Sequence, residues 1–130
     1  MARILVADDD TVMLRLLETL LNLEGFETST ATRPSEIMYA LANRQFELVL
    51  MDYYLAGGSA LETLQQIRSN AALRELPVLV TSGLDHETEC IDAGANGFIL
   101  KPFAPDELMG QVRGILGPAQ PAMPTAPRAG

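Results

Sequence analysis

Tryptophan is missing from these 130 residues, aromatic side chains make up only 5% of them, and cysteine, histidine and lysine occur once each, as Cys90, His86 and Lys101. Each scarcity excludes something. A lone cysteine cannot close an internal disulfide, and Cys90 and His86, though near one another in sequence, lack the further ligands of a metal centre. No apolar run approaches the roughly 20 residues that a membrane-spanning helix needs, the longest being interrupted by Arg15, Glu18 or Asp52. Met1-Ala2-Arg3 leads directly into a strand pattern without the signature of a secretory leader, which points to the cytoplasm. Basic residues are outnumbered, and the net charge of −8 opposes association with a nucleic acid backbone.

What is present is a 48% hydrophobic chain long enough for one packed domain. Short apolar runs alternate with longer amphipathic segments, the sequence form of a parallel sheet with crossover helices. Five such units are predicted. The first strand, Ile4 to Ala7, precedes a helix over about Thr11–Leu23 that Asp10 can cap and Gly25 can end. Met13, Leu14, Leu16, Leu17, Leu20 and Leu21 are too many for a narrow apolar stripe on that helix. Glu27 to Ala31 reads as a polar edge strand, and Pro34 opens a helix reaching about Asn43. A third strand ends at Asp52, Gly57-Gly58 is expected to turn, and Leu61, Leu64 and Ile67 mark a helix to about Asn70. Pro77 introduces the fourth strand, only Glu87 to Asp92 can be helical before Gly94, and a last helix follows Pro105 to about Leu116. Residues 1–117 are therefore assigned to one domain, and the Pro/Ala-rich stretch 118–130 to a flexible tail or linker.

The chemistry gathers at strand ends. Asp8-Asp9-Asp10 follows the first strand, Asp52 the third, Thr81-Ser82 the fourth, and Lys101 the fifth, Gly97-Phe98-Ile99-Leu100. Right-handed crossovers with the polar second strand outermost give the order 2-1-3-4-5, a doubly wound, flavodoxin-like α/β sheet with helices on both faces. Ligands of such sheets bind outside the carboxyl ends of the strands, so these side chains should meet. Neighbouring strands lie about 4.8 Å apart, which crowds Asp8 and Asp9 against Asp52 unless a cation joins them. Magnesium suits the purpose, since it is held by one or two carboxylates together with waters and phosphate oxygens. Asp52 is then positioned to attack phosphorus, with Lys101 and Thr81 covering the phosphoryl oxygens.

These residues carry a resemblance to the receiver domain of two-component response regulators, over about residues 2–117. The matching features are the acid pair in Val6-Ala7-Asp8-Asp9, Asp52 after Leu48-Val49-Leu50-Met51, Thr81-Ser82, and the run from Gly94 to Phe103 that contains Lys101-Pro102. The resemblance implies a signalling domain that takes a phosphoryl group from phosphohistidine onto Asp52 and then changes conformation. The resemblance implies no enzyme activity beyond its own phosphoryl transfer and slow dephosphorylation. Asp9 and Asp52 would bind Mg2+ directly, the backbone carbonyl of Tyr54 would complete the protein ligands, and Asp8 would act through a water. Thr81 and Phe98 would be the coupled switch residues, and Lys101-Pro102 a cis peptide. The implied partners are a histidine kinase or histidine phosphotransfer protein, an effector domain or downstream protein, and a second copy through the fourth helix, fifth strand and fifth helix.

The chain departs from the receiver pattern after Asp52, where Ala56, Ser59 and Ala60 replace the usual proline and the usual small pair ending in glycine; an altered loop is expected there. Tyr54 and Gly83 occupy positions where receivers tune dephosphorylation. Two other readings fit parts of this pattern. Asp8-Asp9-Asp10-Thr11-Val12 fits the Asp-x-Asp-x-Val signature of haloacid-dehalogenase-like phosphatases, with Asp8 as nucleophile, but that reading leaves Asp52 idle and finds no later acid pair on a strand end. A phosphorylation-independent interaction module would need none of the acids, the threonine or the lysine.

Overall fold

The computed structural model describes residues 2–117, and the Pro/Ala-rich stretch at 118–130 lies outside the described residues. Strands β1 (Arg3–Ala7), β2 (Glu27–Ala31), β3 (Leu48–Asp52), β6 (Val78–Ser82) and β7 (Gly97–Leu100) form one parallel sheet in the order β2-β1-β3-β6-β7. Counted within that sheet alone, this is the expected 2-1-3-4-5. The intervening labels belong to a two-stranded antiparallel ribbon, β4 (Tyr54–Leu55) with β5 (Gly58–Ser59). The ribbon corrects the turn expected at Gly57-Gly58: the reversal is made by Ala56 and Gly57, with Gly57 at φ 82°, while Gly58 is already extended.

Helices α1 (Thr11–Leu23), α2 (Pro34–Asn43), α3 (Ala60–Ser69), α4 (Glu87–Asp92) and α5 (Pro105–Leu116) cover the sheet. Alternation along the strands divides the core. Leu5, Ala7, Val49, Met51, Val78, Val80 and Phe98 pack with α2, α3 and α4, while Ile4, Val6, Leu48, Leu50, Leu79 and Ile99 pack with α1 and α5. The crowded apolar face of α1 resolves simply: Leu14, Leu17 and Leu21 are buried, Met13 and Leu20 are partly covered, and Leu16 remains 51% exposed. Asp10 caps α1 through its Oδ1, which accepts from the amides of Val12 and Met13 at 2.9 and 3.2 Å.

The place where the sequence suggested strain is regular. Ala60 is the first residue of α3, fully buried, and its amide donates to the Tyr53 carbonyl at 2.9 Å, so the ribbon has absorbed the irregularity that a glycine was expected to relieve. Gly58 is the glycine that space demands, because a Cβ there would stand 2.9 Å from Pro34 Cγ. The Lys101-Pro102 peptide is cis, as expected.

Candidate functional site

Register assembles the site. Asp52 pairs directly with Thr81, Ala7 with Met51, and Ser82 with Leu100, so Asp8, Asp52, Thr81 and Lys101 leave their strands at one level of the sheet. Backbone hydrogen bonds hold this edge: the Tyr53 amide donates to the Thr81 carbonyl and the Lys101 amide to the Ser82 carbonyl, each at 2.7 Å.

The single lysine joins two acids. Lys101 Nζ lies 2.7 Å from Asp52 Oδ1 and 3.1 Å from Asp8 Oδ2. Thr81 Oγ1 donates to Asp52 Oδ1 at 3.2 Å, and the Tyr54 amide donates to Asp52 Oδ2 at 3.1 Å. Asp8, Asp52 and Thr81 are all buried, at 1%, 6% and 1% exposure. Burial raises the Asp8 carboxyl above its ordinary range; the Asp10 amide opposes this, the Asp52 charge adds to it, and Lys101 partly offsets it. Burial alone would lower the Lys101 ammonium, but its hydrogen bonds and charge contacts with Asp52 and Asp8 outweigh that and raise it.

Other expected residues sit differently. Asp9 is exposed beside Asp8, and among the described residues no hydrogen bond or ion pair reaches its carboxylate. Phe98 is buried at 8% exposure on the face of the sheet covered by α4, in the same apolar cluster as Cys90 and the partly buried Tyr53. Tyr53, Tyr54 and His86 are brought together by contacts between residues far apart in the chain. The His86 imidazole stacks on the Tyr53 ring with centroids 3.8 Å apart, meets the Tyr54 hydroxyl at 2.9 Å through Nε2, and meets Glu89 Oε1 at 2.5 Å through Nδ1. The available signal was the spacing of His86 and Glu89, three residues apart at the start of a short helix.

The donor set suits a hard divalent cation. Two carboxyl groups, Asp8 and Asp52, share one ammonium, and a third, Asp9, follows Asp8 directly in the chain and is exposed. Among the described residues no three His, Cys, Asp or Glu side chains converge on a single point. Magnesium does not require that, since one or two carboxylates, a carbonyl and retained waters suffice.

A parallel α/β domain with acids, a threonine and a lysine at adjacent strand ends is the architecture of a phosphoryl-handling signalling module. Comparison with known proteins agrees. Residues 4–113 match the response regulator receiver domain, and the chain belongs to that family, the signalling module of two-component systems. It is similar to the phosphate regulon transcriptional regulatory protein PhoB of Rhizobium meliloti, 31% identical over 122 residues that cover 92% of this chain and 54% of the relative. The chain thus spans about half the length of the curated relatives it matches. Among solved structures, a response regulator from Chloroflexus aurantiacus superposes with a TM-score of 0.84 at 28% identity, covering 88% of this chain and 97% of its own. The receiver domain of the sensor histidine kinase PA1611 from Pseudomonas aeruginosa, which carries magnesium in its active site cleft, superposes with a TM-score of 0.81 over 88% of this chain and 97% of its own; at 22% identity that likeness concerns the fold. These findings do not favour the phosphatase reading of Asp8 or the phosphorylation-independent module. Among the described residues no helix is long and apolar enough to cross a membrane.

Proposed function

We propose that Asp52 is the phosphoacceptor, taking its group from a phosphohistidine on a histidine kinase or phosphotransfer protein. The observation that carries this is the placement of Asp52 Oδ1 within 2.7 Å of the Lys101 amine and 3.2 Å of the Thr81 hydroxyl, two donors suited to a phosphoryl group as well as to a carboxylate. A carboxylate oxygen of Asp52 attacks phosphorus, the phosphorus–nitrogen bond breaks, and the acyl phosphate so formed adds negative charge next to both donors. Lys101 and Thr81 turn towards the new oxygens. Charge-assisted hydrogen bonds of this kind contribute about 1.5–3 kcal/mol each, enough to bias a two-state loop. Thr81 and Phe98 are the switch residues in this reading, since Thr81 touches the acceptor and Phe98 lies under the helix that would respond.

Asp9, Asp52 and the Tyr54 carbonyl would hold Mg2+, with Asp8 acting through a water. When bound, the ion supplies charge neutralisation for the phosphoryl oxygens that Lys101 and Thr81 do not reach. The phosphodonor has an apolar landing place beside the site: Val12 and Leu16 are exposed on α1, next to a groove of about 470 Å³ lined by Met13, Leu16, Lys101, Pro102 and Phe103. The domain runs over residues 1–117, its output lies in a further domain or a downstream protein, and self-association would use α4, β7 and α5.

The test is intact mass after incubation with acetyl phosphate and Mg2+. Wild type should gain one phosphoryl group of about 80 Da, and both chelation of Mg2+ and Asp52→Asn should abolish the gain, whereas Asp8→Asn should only weaken it. Retained uptake in Asp52→Asn together with complete loss in Asp8→Asn would transfer the acceptor role to Asp8.

A further inference from the structure

The last residues of the sequence carry a pattern that the packed domain does not use. Proline recurs at 118, 121, 124 and 127, a strict period of three. Three residues make one turn of a polyproline II helix, so all four rings fall on one face of it, and at about 3.1 Å per residue they span about 28 Å. Proline has no amide hydrogen, so that face presents carbon with few unpaired donors. A linker kept in water needs a proline-rich composition at most, and no such register.

The amino edge of the sheet, opposite the end that bears Asp52 and Thr81, holds a groove of about 630 Å³. Crossover helices return the chain to this edge, so α2 and α5 both end here, beside the residues that lead into β3 and β6. The most buried apolar residues of the lining are Leu41 and Phe46, while Leu73, Leu76 and Pro77 remain partly exposed. Leu73 and Leu76 pack on the half of the core under α2 and α3, and Ile115 and Leu116 on the half under α1 and α5. The groove is thus the seam between the two halves. Arg44 and Gln45 are exposed on it, and among the described residues their side chains have no hydrogen-bond partner.

We infer that the segment after α5 folds back into this groove as a polyproline II helix, with its proline face on the leucines and its carbonyls towards Arg44 and Gln45. Continuity names the occupant. α5 ends at Leu116, which itself lines the groove, and only Gly117 separates it from Pro118. A ligand tethered beside its own site has an effective concentration in the millimolar range, so weak contacts suffice to seat it. Chemistry agrees. A polyproline II helix makes no internal hydrogen bonds, so its carbonyls need outside donors, and its stiffness lowers the cost of ordering it. Glu47 and Glu75 outnumber Arg44 on the groove, a surplus opposite in sign to Arg128, the one charged side chain of residues 118–130. Seating the segment covers the seam and turns the exit from α5 into a fixed joint. The inference is independent of the assignment of Asp52.

The experiment measures NMR relaxation of the backbone amides between Ala119 and Ala126 in the full 130-residue chain. Their order parameters should approach the roughly 0.85 of a rigid backbone, against values below about 0.6 for a flexible one. The double variant Pro121→Gly/Pro124→Gly, which leaves the packed domain intact, should bring them below about 0.6 and shift the resonances of Leu73, Leu76 and Ile115. Leu73→Asp should release the segment in the same way, with melting temperatures measured alongside; the proline variant decides the question even where Leu73→Asp lowers that temperature. Values below about 0.6 in wild type overturn the seat and leave the groove for a separate partner. Order that survives the proline variant, or groove resonances that do not move with it, places the segment elsewhere and overturns the seat as well. Repeating the measurement at about 50 µM and about 1 mM chain separates a segment in its own groove from one in a neighbour's. Equal values support the inference, and order that appears only at the higher concentration assigns the groove to a second copy and overturns it.

Discussion

Replacing Lys101 with methionine would keep most of the apolar stem and remove the one cation from the rim. Two buried carboxyl groups, at 1% and 6% exposure, would then face each other with no ammonium between them. Breaking a buried ion pair by removing one member costs about 3–5 kcal/mol, and because the lysine side chain is 21% exposed the lower end applies, so roughly 3 kcal/mol is expected at pH 8. The pH dependence has a definite sign. Asp8 already binds its proton more tightly in the fold than in the open chain, chiefly through burial, and Lys101 is among the groups opposing that. Without the lysine its pKa rises further. A carboxyl raised in the folded state contributes stability that is fully present below its unfolded pKa and is lost as pH climbs through the folded value. The deficit of Lys101→Met should therefore be smaller at pH 5 than at pH 8, since the raised Asp8 carboxyl is protonated more readily at the lower value. Urea unfolding followed by circular dichroism at pH 5 and pH 8 measures it. An equal deficit at both values, with unchanged dependence on urea, would refute the account of the rim as carboxyls held together by one amine. In wild type the raised Lys101 ammonium keeps the pair intact until the pH passes its folded value, above the ordinary lysine range.

Arg68 offers a test remote from the rim: its guanidinium donates to the carbonyls of Gly94, Arg74 and Leu76 and to Asn96 Oδ1, at 2.7 to 3.1 Å, tying the end of α3 to the segments that lead into β6 and β7. Arg68→Ala should cost about 2–3 kcal/mol and lower the melting temperature by roughly 10 °C, with acetyl phosphate uptake retained at temperatures where the variant is folded; a shift below about 2 °C would show the clamp to be solvent-compensated. Cys90 is fully buried, and burial, helped by Glu89, pushes its thiol up to about 11. Native protein at pH 8 should therefore react with iodoacetamide about a hundredfold more slowly than protein in urea, and stability should decline between about pH 9 and 11 as the unfolded thiol ionises first. Comparable rates in the two states would contradict that burial.

Much of this structure is legible in the order of residues because the cues were local. Asp10 ahead of an apolar helix, Pro34 and Pro105 at helix starts, Gly25 and Gly94 beyond helix ends, and carboxylates directly after apolar runs each specify an element or its boundary without reference to the remainder of the chain. Asp8, Asp52, Thr81 and Lys101 could be brought together because parallel strands with right-handed crossovers leave few arrangements. What escaped depended on non-local contacts. The β4-β5 ribbon forms because Leu55 is buried in the core and Gly58 fits against Pro34, and neither fact is visible in the four residues themselves. Which of the six apolar residues of α1 stays outside, Leu16, is set by the width of the α1 contact with the sheet. His86 appeared inert because its partners, Tyr53, Tyr54 and Glu89, become neighbours only when the loop after β6 folds beside the loop after β3.

The strands β1, β3 and β6 are enclosed above and below by the two apolar clusters, and their ends are pinned to one another by main-chain bonds. Such a slab has no slack to yield when a charge arrives at its edge. Displacement must run outward into the connecting segments, so the interior serves as an anvil, and divergence among such modules can rewrite the periphery without recasting the middle.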